Sequence, residues 1–517
     1  MRLEGHLRAR AADAGRKTAL VCGDRRISYV EFNQSAERLA AALAGAGVRR
    51  GDRVLVFMEN GLEAALSIFA VWISGAVLVP VNPSAKAGRI AFLLNNCRPA
   101  AVFAQGRLAP VVADAVQQFP APLHVLLTEP HAALPDAALF ADALLAVPMS
   151  MIDDRRREDD LATILYTSGS TGDPKGVMMA HANLEAAASS IVSYLDNTTD
   201  DVLLSVLPLS FGYGLTQLLT SVFSGATLVL EKSFAFPYAV FERLRDEHAT
   251  GFPLVPSMVA MMLQMKELDL TLFASLRYVT SAAAPLPVDH IRRLRNFLPD
   301  VRLFSMYGQT ECIRATYLPP EQLDIRPGSA GIPIPGMRAY VADEAGKPAG
   351  PDAIGELVVS GPNVMKGYWE APEATALALR PDPETGTLWL HTGDLFTVDA
   401  DGFLTFVARR DDIIKSRGEK VPPKEVETVL HALPGVAEAL VAGVPDPVLG
   451  QSIKAFVVLA DPNLTEREVL RHCARHLEDY MVPKVVEFVS ALPKTDSGKL
   501  SRRLAAEMHS TRKGPDV

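Results

Sequence analysis

Residues 167–176 have the sequence TSGSTGDPKG and directly follow ATILY, a short apolar segment typical of a buried strand. The glycines in this stretch permit backbone turns that other residues resist, and successive amides in such a turn can form a concave site for an anion. The hydroxyl groups add hydrogen-bond donors, and Lys175 adds a positive charge. We therefore expect a polyphosphate to contact Thr167, Ser168, Gly169, Ser170, Thr171, Gly172 and Lys175.

The loop differs from a Walker sequence, in which a glycine and four residues precede Gly-Lys-Ser/Thr. Here Pro174 precedes Lys175, and Gly176 follows it in place of a serine or threonine. The sequence therefore disfavours a GTPase or a motor-type ATPase.

Length and composition limit the class of protein. The chain has 517 residues, and because domains commonly contain about 100–200 residues, we expect at least two. The net charge is −9 and no basic tract dominates, so a general nucleic-acid-binding protein is disfavoured. The cysteines are far apart and form no metal-like pair, so free thiols in a reducing compartment are expected. They are Cys22, Cys97, Cys312 and Cys473.

The most apolar stretch covers residues 64–81, and Gly75 and Pro80 interrupt it. A buried helix to about Ser74 followed by the buried strand AVLVPV is favoured over a membrane span. The N-terminal sequence MRLEGHLRARAADAG has no apolar core, so no secretory signal is expected. The sequence thus predicts a cytoplasmic protein.

Strand-like and helix-like segments alternate along most of the chain. RISYVEFNQSAERLAAALAGAGV predicts a short strand and an amphipathic helix, and RVLVFMEN predicts a buried strand before the helix GLEAALSIFAVWIS. This alternation predicts an α/β fold of several layers, with mostly parallel sheets flanked by helices. From about residue 410 the sequence becomes dense in charge and predicts a small α+β unit. We expect a large domain over residues 1–409 and a small mobile domain over residues 410–517.

The loop at residues 167–176 resembles the signature of the adenylate-forming, or AMP-binding, superfamily. This superfamily contains acyl-CoA synthetases, peptide-synthetase adenylation domains and luciferases, and the similarity extends from about Arg26 to Arg502. Further matching segments are TSAAAP at 280–285, SMYGQTE at 305–311, HTGDL at 391–395, ARRDDIIKSRGEKVPPKEVE at 408–427 and LPKTDSGKLSR at 492–502. The resemblance implies that ATP and Mg²⁺ are used to activate a carboxylic acid as an acyl-adenylate, with release of pyrophosphate.

The same resemblance assigns contacts to the nucleotide and the metal ion. Tyr307 would stack on the adenine, and Thr310 would contact the α-phosphate. Glu311 would hold Mg²⁺ together with Thr167. HTGDL resembles the turn that binds ribose, where Asp394 would accept from the hydroxyls. The other residues expected near the nucleotide are Ala282, Ala283, Met306, Gly308, Arg409, Lys415 and Gly418.

Residues 408–427 are similar to the hinge of the family. Arg409 matches the arginine that contacts ribose and phosphate, and Asp411 matches the residue about which the small domain pivots. Gly418 matches the glycine that lines the pantetheine tunnel during thioester formation. The glycine that usually precedes the arginine is replaced by Ala408.

Lys499, in the C-terminal motif, matches the lysine that bridges the substrate carboxylate and the α-phosphate. A fixed cation there stabilises charge that develops in the transition state. With Lys175, Thr310 and Glu311 it makes up the expected catalytic set. Lys415 is explained equally well as a phosphate contact or as a surface lysine.

LPLSFGYGL, at residues 207–215, matches the aromatic gate and the helix of the acyl pocket, with Phe211 at the aromatic position. Gly212 occupies the place where amino-acid-activating relatives carry an aspartate for the α-ammonium group. We therefore expect a fatty or aromatic acid without an α-amino group. The expected pocket residues are Phe211, Gly212, Tyr213, Gly214, Ser257, Met258, Ser281 and Ala283.

The acyl acceptor is expected to be CoA. Only a short sequence separates Glu311 from PGSAGIPIPG at residues 327–336, whereas ligases that feed carrier proteins usually carry an insertion there. Transfer to a carrier protein acting in trans stays open as an alternative. A non-catalytic nucleotide-binding protein of this fold would be expected to lose Glu311, Asp394 or Lys499, and all three are present.

Overall fold

The computed structural model describes residues 1–147, 157–167, 174–265, 268–382, 384–416, 419–446, 450–495 and 500–512. The helices are α1 Leu3–Asp13, α2 Tyr29–Gly45, α3 Leu62–Ser74, α4 Ala87–Cys97, α5 Ala109–Val116, α6 Phe140–Ala143, α7 His181–Leu195, α8 Gly212–Ser224, α9 Pro237–Asp246, α10 Pro256–Gln264, α11 Val288–Phe297, α12 Pro372–Ala378, α13 Pro423–His431, α14 Glu466–His476 and α15 Arg502–Arg512.

The strands are β1 Thr18–Cys22, β2 Arg25–Ser28, β3 Arg53–Phe57, β4 Val77–Val81, β5 Ala101–Ala104, β6 His124–Leu127, β7 Ala138–Leu139, β8 Leu161–Thr167, β9 Lys175–Ala180, β10 Val202–Ser205, β11 Thr227–Leu230, β12 Gly251–Leu254, β13 Tyr278–Ser281, β14 Arg302–Tyr307, β15 Thr316–Leu318, β16 Ile332–Pro333, β17 Arg338–Ala342, β18 Gly355–Ser360, β19 Gly367–Tyr368, β20 Leu379–Pro381, β21 Leu388–Val398, β22 Leu404–Arg409, β23 Ile414–Ser416, β24 Glu419–Val421, β25 Val436–Asp446, β26 Gly450–Leu459 and β27 Val485–Phe488.

Two large sheets organise the first part of the chain. The first sheet has the order β19-β9-β8-β4-β3-β5-β6-β7, and the second has the order β16-β15-β14-β13-β12-β10-β11-β1-β2. The central strands pair in parallel in both sheets, and the antiparallel pairs lie toward the edges. Helices pack against these sheets and bury continuous apolar strands, as expected for parallel sheets. The predicted α/β fold is therefore confirmed.

The helix and strand expected near the N-terminus form where local signals favour them. Helix α2 begins with a capping box: the Ser28 hydroxyl accepts from the Glu31 amide, and the Glu31 carboxylate accepts from the Ser28 amide at 2.7 Å. Helix α3 ends at Ser74 because Gly75 adopts a left-handed conformation with φ of 83°, and the buried strand β4 follows. Among the described residues, no helix is both long and apolar enough to cross a membrane.

A third sheet, formed by β17, β18 and β20–β22, departs from the prediction of mostly parallel pairing. All of its pairs are antiparallel. HTGDL lies inside the long strand β21, so the expectation of a turn at this motif was wrong. Gly393 has φ of 70°, the pairing register with β18 shifts across it, and the register with β22 shifts just after it, between Leu395 and Phe396. The strand therefore bends locally without reversing, which aims the Asp394 region at the second sheet.

The fourth sheet has the order β24-β23-β26-β25, with β27 parallel to β26, and α13 and α14 pack on it. Helix α13, which packs on this sheet, contacts the preceding part of the chain at two places. Near the predicted boundary, the Lys424 ammonium donates to the Phe406 carbonyl at 2.7 Å. Farther from it in sequence, the ring of His290 lies 5.7 Å from that of His431. The division at residue 409 stays a prediction, and the first strand of this sheet begins at Ile414.

Gly331 lies where the backbones of the second and third sheets approach each other closely. Gly331 forms an isolated antiparallel bridge with Leu404 of β22, and its φ is 89°. An added Cβ would overlap the Tyr317 carbonyl of β15. Gly336 has a similar φ of 86°, but an added Cβ there would meet only Pro362, at 3.9 Å.

We predict that Gly331→Ala lowers the free energy of unfolding by clearly more than Gly336→Ala. Both variants carry the left-handed strain of about 1–2 kcal/mol, and only the first also forces the backbones apart. Thermal unfolding followed by circular dichroism measures the difference. Equal effects of the two variants would contradict the close approach at Gly331.

Candidate functional site

The two ends of the glycine-rich loop are held by a pair of antiparallel strands. Strand β8 ends at Thr167 and β9 begins at Lys175, and these two residues are direct partners in the ladder. The Thr167 hydroxyl donates to the Lys175 carbonyl at 3.5 Å. The loop thus connects a hairpin, whereas a Walker loop leads into a helix. Its expected phosphate contacts Ser168, Gly169, Ser170, Thr171 and Gly172 lie outside the described residues.

Lys175 and Glu311 both contact Tyr368, a residue that the sequence reasoning did not identify. The Tyr368 hydroxyl donates to Glu311 Oε1 at 2.8 Å, and Lys175 Nζ lies 5.4 Å from the centre of the tyrosine ring. Burial and the neighbouring carboxylate raise the pKa of Tyr368, so the phenol stays protonated and keeps donating. The structure therefore brings together two of the expected catalytic residues.

The loop that carries Thr310 and Glu311 is fixed through its backbone. The Asn363 amide donates to the carbonyls of Cys312 and Arg314, each at 2.7 Å. An added Cβ at Gly308 would lie 2.7 Å from the Ile313 carbonyl oxygen, so only glycine fits. At the end of β14, the Met306 sulfur accepts from Tyr194 at 3.0 Å.

Asp394 lies between Tyr307 and Arg409. The Tyr307 hydroxyl donates to Asp394 Oδ2 at 2.6 Å, and Arg409 Nε lies 3.3 Å from Oδ1. Asp394 is 3% exposed. Burial raises its pKa, while Arg409 and the Tyr307 hydroxyl act in the opposite direction by stabilising the carboxylate. Because each carboxylate oxygen has a further lone pair, both can still accept a hydrogen bond from a ligand.

Glu356 is a second residue that the sequence reasoning missed. Its carboxylate contacts His391 Nδ1 at 3.0 Å, accepts from the Gly393 amide at 2.9 Å and pairs with Arg410 at 2.9 Å. Burial alone would raise the pKa of Glu356, but these contacts lower it to about 2. The side chain thus fixes both the bend that precedes Asp394 and the start of the hinge. A lone carboxylate in the apolar strand GELVVS was the available signal.

The expected acyl-pocket residues surround the first turn of α8. Phe211 precedes this helix and Gly212 begins it. An added Cβ at Gly214 would overlap the Pro208 carbonyl. The hydroxyls of Tyr213 and Thr280 share a hydrogen bond of 2.7 Å, which joins the helix to β13.

Other pocket and nucleotide residues lie at the ends of neighbouring elements. Ser281 ends β13, Ala282 and Ala283 follow it, and Ala283 adopts a positive φ of 76°. Ser257 and Met258 lie in the first turn of α10. Gly418 and Lys499 lie outside the described residues, and the side chains of Asp411 and Lys415 are not described.

We predict that Glu356→Gln destabilises the folded protein at neutral pH by about 3 kcal/mol, the linkage value for a carboxyl whose pKa falls from 4.5 to about 2 on folding. Because the folded pKa is the lower one, this contribution is complete above pH 4.5 and is lost as the pH falls toward 2. Unfolding of the variant and the wild type across this range measures it. The exposed Glu344→Gln serves as the control. A difference between wild type and Glu356→Gln that is independent of pH would contradict the ionic role.

Comparison with known proteins identifies the family of the chain. Residues 7–369 match the family described as AMP-binding enzyme, and residues 425–499 match the AMP-binding enzyme C-terminal domain. Feruloyl-CoA synthase from Amycolatopsis sp is 36% identical over 507 residues, covering 95% of this chain and 96% of that protein. A long-chain-fatty-acid–CoA ligase from Salmonella typhimurium is 32% identical over 509 residues, covering 92% of this chain and 89% of that protein.

Among solved structures, the chain is similar to ATP-bound MatB from Rhodopseudomonas palustris. The TM-score is 0.89 at 30% identity, with 99% of this chain and 100% of that chain covered. The resemblance stated from the motifs is thereby confirmed: the chain belongs to the AMP-binding enzyme family and is an adenylate-forming ligase of the acyl-CoA synthetase type.

Proposed function

We propose that the protein uses ATP to convert a carboxylic acid without an α-amino group into an acyl-adenylate, and then transfers the acyl group to CoA. The observation that carries this proposal is the convergence of two clusters at the strand ends. Lys175 and Glu311 both contact Tyr368, while Asp394 is held between Tyr307 and Arg409. One cluster suits a polyphosphate with its cation, and the other suits a nucleoside.

In the first step an oxygen of the substrate carboxylate attacks the α-phosphorus of ATP. The bond from the α-phosphorus to the oxygen bridging the α- and β-phosphates breaks, and pyrophosphate leaves with that oxygen. This reaction needs alignment and charge neutralisation more than proton transfer. Lys175 supplies one cation from β9, Thr310 supplies a hydroxyl toward the α-phosphate, and Lys499 supplies a second cation from the C-terminal motif.

The residues around Glu311 fit a Mg²⁺ ion. Tyr368 occupies Oε1, which leaves Oε2 available, and the Thr167 hydroxyl provides a second oxygen from the end of β8. Magnesium is commonly held by one or two protein oxygens together with substrate phosphates and water. When bound there, the ion would neutralise charge on the phosphate oxygens.

Tyr307 and Asp394 orient the nucleoside. The Tyr307 hydroxyl donates to Asp394, so the ring offers a face to the adenine while the carboxylate is fixed for the ribose hydroxyls. The Phe396 ring packs edge-on against Tyr307 at 4.9 Å between centres, which stiffens this arrangement. Arg409 lies at the end of β22, directly before the hinge, where it can contact ribose and phosphate.

In the second step the thiol sulfur of CoA attacks the carbonyl carbon of the acyl-adenylate, and AMP leaves. Rotation of the small domain about Asp411 would withdraw Lys499 and present the segment at Gly418 to the pantetheine arm. A carrier-protein thiol acting in trans would react by the same chemistry, so side-by-side assays with CoA and a holo-carrier protein distinguish the two acceptors.

The surroundings of Gly212 favour an acid without an α-amino group. The space beside its Cα faces the apolar Ile313 side chain, at 3.4 Å from an added Cβ. The guanidinium of Arg314 lies over the neighbouring Tyr213 ring and would repel an ammonium group. A fatty or an aromatic acid meets this requirement.

We predict that Lys499→Ala lowers acid-dependent ATP–pyrophosphate exchange by about 100-fold or more, since a fixed cation at the reacting phosphate is lost. Thioester formation from supplied acyl-AMP should change little, because the lysine acts in the first step only. Lys494→Ala, which removes a lysine of the same motif that lies 3.9 Å from Glu438, is the control and should keep full exchange. Full exchange in Lys499→Ala would remove this residue from the chemistry.

We also predict that Tyr368→Phe lowers kcat/KM for ATP by about 10-fold or more and raises the Mg²⁺ concentration needed for half-maximal rate. The loss follows from removing one hydrogen bond to a charged group, worth about 1.5–3 kcal/mol. Tyr340→Phe is the control, since its exposed hydroxyl donates to the Gly346 carbonyl at 3.5 Å, away from Glu311. An unchanged magnesium dependence in Tyr368→Phe would refute the positioning role.

A further inference from the structure

Arg314 is a buried cation without a carboxylate partner among the described residues. It is 3% exposed, and its Nε has no hydrogen-bond partner. Its Cζ lies 5.1 Å from the centre of the Tyr213 ring, and it also interacts with the buried hydroxyl of Tyr194. Within the described ranges, no aspartate or glutamate oxygen lies within ion-pair distance of its guanidinium.

Such an environment is costly for a guanidinium. Arginine does not lose its proton in proteins, so the charge cannot be removed by titration. A cation–π contact contributes up to about 2 kcal/mol, which offsets only part of the desolvation of a buried charge. Burial of Arg314 is therefore best explained if a bound group supplies the missing negative charge.

Other unpaired polar atoms occur around the same turn of α8. The hydroxyls of Ser210 and Ser281 are buried and have no hydrogen-bond partner in the part of the chain that the structure describes. Ser210 lies three residues before Tyr213, and Ser281 follows Thr280, which shares a hydrogen bond with Tyr213. Ser281 belongs to the expected acyl pocket, and an apolar acid would satisfy neither its hydroxyl nor the Arg314 guanidinium.

The backbone of Arg314 is placed to serve this pocket. Asn363 donates to its carbonyl, and the residue follows Glu311 by three positions on the same fixed loop. The guanidinium is directed at Tyr213 in the acyl pocket, whereas Glu311 turns toward Tyr368. The loop therefore presents a carboxylate to the nucleotide side and a cation to the acyl side.

We propose that Arg314 binds a second anionic group of the acid, remote from the reacting carboxylate, so that the substrate belongs to the dicarboxylic acids. This assignment rests on the proposed adenylation activity and narrows its substrate class. The guanidinium pairs with the distal carboxylate through charge-assisted hydrogen bonds.

The test compares mono- and dicarboxylic acids of equal chain length, aliphatic and aromatic, in ATP–pyrophosphate exchange. The wild type should favour the dicarboxylic member of the best pair by at least about 10-fold in kcat/KM. Arg314→Met should reduce that preference by about 30-fold or more, because truncating one partner of a buried charge pair costs about 2–5 kcal/mol. Only kcat/KM for the dicarboxylic acid should fall, and kcat/KM for the monocarboxylic acid should stay unchanged. Arg314→Lys should keep part of the preference.

The surface variant Arg292→Met is the control and should keep the wild-type ratio. A wild type that prefers monocarboxylic acids would overturn the assignment, as would Arg314→Met lowering the rates with both acids equally or raising KM for ATP. Should Arg314→Met fail to fold, the wild-type ratio and Arg314→Lys decide the question. Absence of exchange with every acid would instead reject the adenylation activity itself.

Discussion

The hydrogen bond from the Tyr368 hydroxyl to Glu311 joins the two large sheets at the candidate site. Tyr368 belongs to β19 at the edge of the first sheet, and Glu311 follows β14 of the second sheet. The Met365 amide also donates to the Glu311 carbonyl at 2.8 Å, so side chain and backbone are held by the same segment. This contact fixes the distance between the hairpin that carries Lys175 and the loop that carries Glu311. A polyphosphate would use the Lys175 cation directly and the Glu311 carboxylate through a magnesium ion. The contact between the two sheets therefore places both groups near the same ligand.

The third sheet supplies Asp394 and Arg409 to the candidate site, and a side-chain hydrogen bond joins it to the second sheet. Asp394 comes from β21, Tyr307 ends β14, and Arg409 ends β22, so the buried carboxylate connects the second and third sheets. Glu356, on the adjacent strand β18, fixes the bend before Asp394 and also holds Arg410 at the start of the hinge. One antiparallel sheet therefore both positions the ribose contact and anchors the segment about which the small domain is expected to turn.

The motifs carried most of the predictable information, because the chemistry of a phosphate loop requires particular residues at adjacent positions. The strand before the loop and helix α3 followed from apolar runs, and Gly75 marked the end of the helix. Tyr368 and Glu356 were missed because they act through contacts 57 and 37 residues away in sequence, on Glu311 and Gly393 respectively. The bend in β21 was taken for a turn because HTGDL resembles the ribose-binding turn of the family, and the bulged pairing that keeps it in a strand is a tertiary feature. Arg314 gave no sequence signal, because burial alone distinguishes it from a surface arginine.

In the proposed first step, the acid attacks the α-phosphorus of ATP at the site formed by Lys175, Glu311 and Asp394. Turnover of an acid labelled with oxygen-18 in its reacting carboxylate shows where that oxygen goes, when AMP and pyrophosphate are analysed by mass spectrometry. The carboxylate oxygen becomes the bridge of the mixed anhydride and leaves with AMP when the thiol attacks the carbonyl carbon. The mechanism therefore predicts one labelled oxygen in AMP and none in pyrophosphate. Unlabelled AMP, or label in pyrophosphate, would contradict it.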